Sequence, residues 1–261
     1  MQESLSGEIA SLHRYPVKGL SPESLPRVAL GVGQTLPADR RYAIENGPCG
    51  FDPANPQYFP KIRFLMLMRN ERLAALRTHY DDHSHVLTIR HGGAEVASGN
   101  LQTPEGRAAI EGYFAANFVP ELNGRPKVLF ASGHSFSDVA RKVISIINLS
   151  SVAELEAAIG QPVNPLRFRG NVTVRGWPAW HELELVGQTL AIGEARLKVV
   201  KRIVRCAATN VDPDTAARDL NILQTLMQQL GHMDCGVYAE VVRAGDIAVG
   251  DAVRIEQAAL I

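Results

Sequence analysis

Residues 196–215, RLKVVKRIVRCAATNVDPDT, concentrate the chemistry of this 261-residue chain. Between Arg196 and Arg205 stand five cations and no carboxylate, and Cys206 closes the run. Positive charge stabilises a thiolate, because only the charged form gains from it. A cysteine so placed is a ready soft-metal ligand or nucleophile. In a regular strand Arg202 and Cys206 would share one face, and Lys201 and Arg205 the other. The following NVDPDT favours a tight bend through Asp212, Pro213 and Asp214, so Cys206 stands where a strand leaves its sheet. The same pattern also describes an inert, buried cysteine beside an exposed basic strand, and charge alone does not separate the two.

Other groups have simpler readings. His79, Asp81, Asp82, His83 and His85 surround a hairpin turn and read as a solvated turn rather than a metal cluster. Gly31 and Gly33 lack the third glycine and following helix of a dinucleotide loop. Cys235 reads as a small core residue. With Cys49 and Cys206 it makes three cysteines, too few and too scattered for a disulfide framework or an iron–sulfur cluster. That usage points to a reducing, cytoplasmic setting. Lys+Arg and Asp+Glu balance at 27 each, so net charge gives no reason to expect nucleic acid or a membrane surface as partner. The start MQESLSGEIA does not read as a secretory leader, and no apolar run is long enough to span a bilayer.

The elements that must position these residues are mostly short strands broken by Gly and Pro. Strand patterns fall at 7–15, 27–36, 41–44, 64–68, 72–80, 85–91, 170–175, 189–206, 237–243 and 252–256. Three helices have readable ends. Thr103-Pro104 opens the first, Ser151 with Glu154 makes a capping box for the second, and Asp219 caps the third. Long strand–helix alternation is missing, which argues against a doubly wound sheet. Residues 120–127, with two prolines, an asparagine and a glycine, read as a domain joint.

Four segments in order resemble one known family. HRYPVKGL carries Lys18 and Gly19, ADRRY carries Asp39 and Arg40, and RFRGNVTV carries Arg167, Arg169 and Asn171. The fourth is R-C-x-x-T-x-V-D-P-D-T, with Arg205, Cys206, Thr209, Asp212 and Thr215. Together with the closing CGVYAEVVRAGDIAVGDAVRI they resemble the MOSC-domain family, which includes the mitochondrial amidoxime-reducing component and the C-terminal domain of molybdenum cofactor sulfurases. Gly19 stands where the family often has serine, Val204 likewise, and Gly170 where it has proline.

The resemblance implies a mainly β chain with some α (α+β), an N-terminal MOSC-type β-barrel domain over 1–122 followed by a MOSC barrel with a few helices over 123–261. It implies a molybdenum cofactor of the molybdopterin type, with Cys206 as metal ligand and catalytic residue. Lys18, Gly19, Arg40, Ser150, Arg167, Arg169, Asn171, Arg205, Thr209 and Asp212 would bind the cofactor, Ser150 from a helix N-terminus. The implied activity is oxygen removal from a small N-hydroxylated or N-oxide substrate, with electrons from a separate donor protein. No iron–sulfur cluster and no pyridoxal phosphate are expected. Two alternatives share the thiolate: a sulfur carrier using a Cys206 persulfide, and a non-catalytic cofactor carrier.

Overall fold

The computed structural model describes residues 6–256. Among them the chain is mainly β, with three α-helices: α1 (Pro104–Asn117), α2 (Leu149–Ile159) and α3 (Ile222–Leu230). Seven strands close a barrel. Going round, they are Ser6–Arg14, Val172–Arg175, Ile144–Asn148, Asp234–Arg243, Ala195–Val204, Thr189–Ile192 and Ala252–Ile255, which returns to Ser6–Arg14. Neighbours are antiparallel except Ile144–Asn148 and Val172–Arg175, which run parallel and are joined through α2. A parallel pair needs such a crossover.

The first strand of the chain thus closes a barrel otherwise built from residues beyond 143. Ile9, Leu12, Val28, Leu30 and Leu36 join Ile146, Val174, Leu197 and Val237 in one core. A second core, with Val17, Tyr42, Leu65, Leu87, Ile110 and Phe114, lies under the hairpins Leu76–Tyr80, Val86–His91 and Ala94–Asn100 and under α1. The 120–127 stretch is not a free linker. Val119–Glu121 is a single 3-10 turn, and Pro126–Phe130 pairs with Tyr42–Asn46.

Several local expectations change. α1 is capped by Thr103 as expected, its side chain accepting from the Gly106 amide. α2 is capped by Asn148, not by a box of Ser151 and Glu154, because Ser151 is buried and its hydroxyl donates to Glu182. α3 is capped by Asn221, because Asp219 is taken up by Arg167. Residues 64–68 make only an isolated bridge, Glu45 to Phe64. Residues 71–75 form a 3-10 turn before the strand begins at Leu76.

Candidate functional site

A cleft of about 230 Å³ lies where the barrel meets the first half of the chain. Its walls carry Lys18, Arg40, Lys61, Arg167, Arg169, Lys201, Arg202 and Arg205 against two carboxylates, Asp39 and Asp138, and Cys206 is on its rim. Nine of the eleven expected site residues line it: Lys18, Gly19, Arg40, Arg167, Arg169, Asn171, Arg205, Cys206 and Thr209.

Lys18 follows a parallel bridge between Val17 and Tyr42, with its own amide bonded to the Tyr42 carbonyl at 2.8 Å. Its ammonium donates to the Phe136 carbonyl at 2.8 Å and pairs with Asp138. Burial pulls the Lys18 ammonium below its ordinary pKa, opposed by Asp138. Gly19 has a positive φ of 84°, and a Cβ there would stand 2.8 Å from the Leu65 carbonyl oxygen. Glycine is required by that close approach.

Arg40 and Arg169 both adopt left-handed backbone, with φ of 49° and 52°. Both guanidinium carbons lie against the Tyr15 ring, at 4.5 and 4.2 Å from its centroid. Arg40 also donates to Asp39 at 2.6 Å and to the Arg169 carbonyl at 3.0 Å. Burial, opposed by Tyr15 and reinforced by Arg40, brings the Arg169 guanidinium down to about 10, still charged at neutral pH. Two cations held side by side among buried groups make a strong seat for an anion.

The strand Ala195–Val204 does not present its cations alternately. Its pairing with Asp234–Arg243 shifts register between Val199 and Lys201 and again between Arg202 and Val204. Bulges re-aim side chains, so every residue from Lys201 to Cys206 lines the cleft instead of every second one. The strand ends at Val204, and Cys206 opens a 3-10 turn over Ala207–Asn210. Thr209 closes that turn, its hydroxyl and amide both donating to the Cys206 carbonyl at 3.0 Å. Arg205 donates to the carbonyls of Cys235 and Phe168 at 2.6 and 2.8 Å.

Two other members hold the walls together. The Asn171 amide accepts from the Ser145 amide and hydroxyl and donates to the His13 carbonyl, clamping three barrel strands. Arg167 pairs with Asp212 at 2.9 Å and Asp219 at 2.7 Å. Asp212 is therefore behind the wall rather than on it, where its other oxygen accepts from the amides of Asp214 and Thr215. Ser150 also lies outside the lining, at an α2 N-terminus packed under Asn148 and Glu182.

Lys61, Asp138 and Tyr238 also line the cleft and were not among the expected site residues, although Tyr238 lies in the closing segment that carries the family resemblance. Lys61 begins a one-turn 3-10 helix after Pro60, lines the cleft with Cys206 and stands 3.6 Å from Asp138. Burial lowers the Lys61 pKa, but Asp138 and Cys206 outweigh it and hold the ammonium above its ordinary value. Asp138 itself is held well below the carboxylate range. Burial would raise it, and Lys18 and Lys61 overcome that. The His79–His85 residues form a turn, with Asp81 accepting from the amides of His83 and Ser84. Among the described residues no group of three or more His, Cys, Asp or Glu side chains is gathered as for a metal ion.

Two family models match the chain, the MOSC N-terminal beta barrel domain over residues 6–115 and the MOSC domain over residues 125–254. The chain belongs to the MOSC-domain family. The cleft thus lies where residues matched to the MOSC domain meet those matched to its N-terminal companion.

Curated relatives include the molybdenum cofactor sulfurase of Caenorhabditis elegans, 24% identical over 231 residues, 86% of this chain and 32% of that protein. Mitochondrial amidoxime reducing component 2 of Bos taurus is 28% identical over 122 residues, 42% of this chain and 36% of that protein. The matches span about a third of each relative's length. Among solved structures, the YuaD protein from Bacillus subtilis is 14% identical, with a TM-score of 0.47 and 98% of each chain covered. YiiM from Geobacillus stearothermophilus is 20% identical, with a TM-score of 0.36, over 45% of this chain and 55% of that one. No helix among the described residues is long and apolar enough to cross a membrane.

Proposed function

We propose that this MOSC protein binds a molybdopterin-type molybdenum cofactor through Cys206 and reduces N-hydroxylated or N-oxide substrates. The observation that carries the reading is Cys206 on the rim of a cleft with eight cations and two carboxylates. The donor set fits the group. A soft, high-valent metal takes a thiolate, and the pterin's phosphate takes clustered cations. Lys18, Arg40 and Arg169 are the residues that would hold the phosphate end. Arg167 Nε and Nη1 and Arg205 Nη2 are buried donors without an acceptor among the described residues. That cost is offset by an anionic occupant.

The bound cofactor would take up the oxygen atom and give up two electrons in doing so, which side chains cannot provide. The protein would supply the thiolate, the anion seat and a partly closed pocket. In the overall reaction the substrate's N–O bond breaks, two electrons and two protons are consumed, and one water leaves with the reduced nitrogen compound. We assign the electrons to a separate donor protein, because no cluster-forming cysteine set exists among the three cysteines. All three are free thiols, which suits a cytoplasmic, reducing setting.

The test is elemental analysis of wild type and Cys206→Ala purified from a host that makes the cofactor. Near-stoichiometric molybdenum in wild type and none in the variant is expected, followed by N-hydroxy reduction when a donor protein is added. Absence of molybdenum in wild type, with a control molybdoenzyme from the same host loaded, overturns the reading. Turnover with a nicotinamide alone overturns the donor assignment.

A further inference from the structure

The cleft does not end at Cys206. A second cavity of about 300 Å³ is lined by Val139, Arg141, Val143, Val200, Lys201 and Tyr238. Four of these, Val139, Val143, Lys201 and Tyr238, also line the cleft, so the two spaces adjoin and share a wall. Lys201 and Tyr238 are direct cross-strand partners, and Tyr238 faces Ser145 on its other side. The groove therefore crosses the outer surface of the barrel, with three valines along it and cations at Lys201 and Arg141.

Its chemistry differs from that of the deep cleft. There Lys18 meets the Phe136 carbonyl and Arg169 the Leu20 carbonyl. Lys201 is exposed and has no hydrogen bond or ion pair among the described residues. Arg141 pairs with Glu240 at 3.1 Å, but the pair is exposed and leaves most of the guanidinium free. The Tyr238 hydroxyl has no partner among the described residues either, and stands in the field of Arg205, Asp138, Arg40 and Lys61. Counting Lys201, Arg141 and Glu240, the outer groove carries one net positive charge beside apolar walls.

We propose that this groove is the substrate's seat and that it selects N-oxygenated substrates bearing a carboxylate on an apolar body. The inference rests on the reading of Cys206 as the reaction centre. The N–O end enters the cleft past Tyr238, the hydrocarbon lies on Val139, Val143 and Val200, and the carboxylate meets Lys201, with Arg141 beyond it. A single net positive charge suits a monoanion.

The experiment uses cofactor-loaded protein and two matched pairs. Benzamidoxime and 4-carboxybenzamidoxime are compared as substrates, and benzamide and 4-carbamoylbenzoate as non-reacting ligands by calorimetry. One charge-assisted contact should give the carboxylate member an advantage of about tenfold in KM and in Kd. In Lys201→Met the ratio within each pair should fall to about one, in Lys201→Glu it should invert, and Lys201→Arg should restore it. Equal constants within both pairs for wild type, or an unchanged ratio in Lys201→Met, overturn the inference while leaving the reductase reading in place. No turnover of either amidoxime, with Lys201-dependent binding of the carboxylate intact, overturns the reductase reading and leaves the groove.

Discussion

Arg40 and Arg169, 129 positions apart in the chain, share one ring and one hydrogen bond: both lie on Tyr15, and Arg40 donates to the Arg169 carbonyl at 3.0 Å. The ring helps two like charges stand together, since each meets its negative face while Asp39 pairs with Arg40. Tyr15→Phe keeps the ring and loses only a long hydroxyl bond to the Gly170 carbonyl at 3.4 Å. Its stability should stay within about 1 kcal/mol of wild type, with cofactor content unchanged. Tyr15→Leu should cost about 3 kcal/mol and empty the site. Urea unfolding and metal content measure both, and a fully loaded Leu variant would show that the ring does not organise the anion seat.

Gly170 stands where the family's motif has proline, and the structure shows what the glycine permits. A Cβ at this position would run into Cγ1 of Ile147, which is fully buried. Gly170→Ala should cost about 1–3 kcal/mol by overpacking. In an Ile147→Ala background the same change should be nearly free, a coupling of at least about 1 kcal/mol. Additive costs in a double-mutant cycle would place the strain in the backbone instead.

How much of this was readable beforehand depends on how local the cause is. The Thr103 cap, the bend after Cys206 and the basic run before it are set by neighbours in sequence, and all appear where expected. The even alternation of Lys201, Arg202 and Arg205 fails, because bulges are dictated by the partner strand. Ser151 and Asp219 have the right spacing for caps but are claimed by Glu182 and Arg167, from other elements. Lys61 was invisible for the same reason. Only the folded chain brings a lysine in a proline-rich loop into one cleft with a cysteine 145 positions later.

Arg167 offers a test of asymmetry. Its side chain is 1% exposed, whereas its partners Asp212 and Asp219 are 18% and 40% exposed. Removing the arginine leaves two carboxylates that can reach water. Removing both carboxylates leaves a buried guanidinium with no counter-charge, a loss in the range of about 3–5 kcal/mol. The double variant Asp212→Asn with Asp219→Asn should therefore be less stable than Arg167→Met. Asp219→Asn alone should cost about 1 kcal/mol or less, since Asp212 remains. The reverse ranking in denaturant unfolding would mean that the carboxylates, not the arginine, are the group that needs its partner.

Glu182 carries the clearest pH dependence. It is fully buried beside the α2 N-terminus and accepts from Asn148 at 3.0 Å and Ser151 at 2.8 Å. Burial, opposed by those hydrogen bonds, raises its carboxyl above the ordinary 4.5. The unfolded chain therefore releases this proton at lower pH than the folded one. The group's contribution to stability is full below 4.5 and is lost as pH rises through the folded value. Glu182→Gln has no proton to lose and keeps an oxygen for Asn148 and Ser151. Its stability relative to wild type should rise as pH climbs above 4.5 and level off once pH has passed the folded value. Urea unfolding across that range gives the difference directly. A difference that stays flat would show that the folded protein holds the Glu182 carboxylate charged at no penalty, and that Asn148 and Ser151 fully replace the water it has lost.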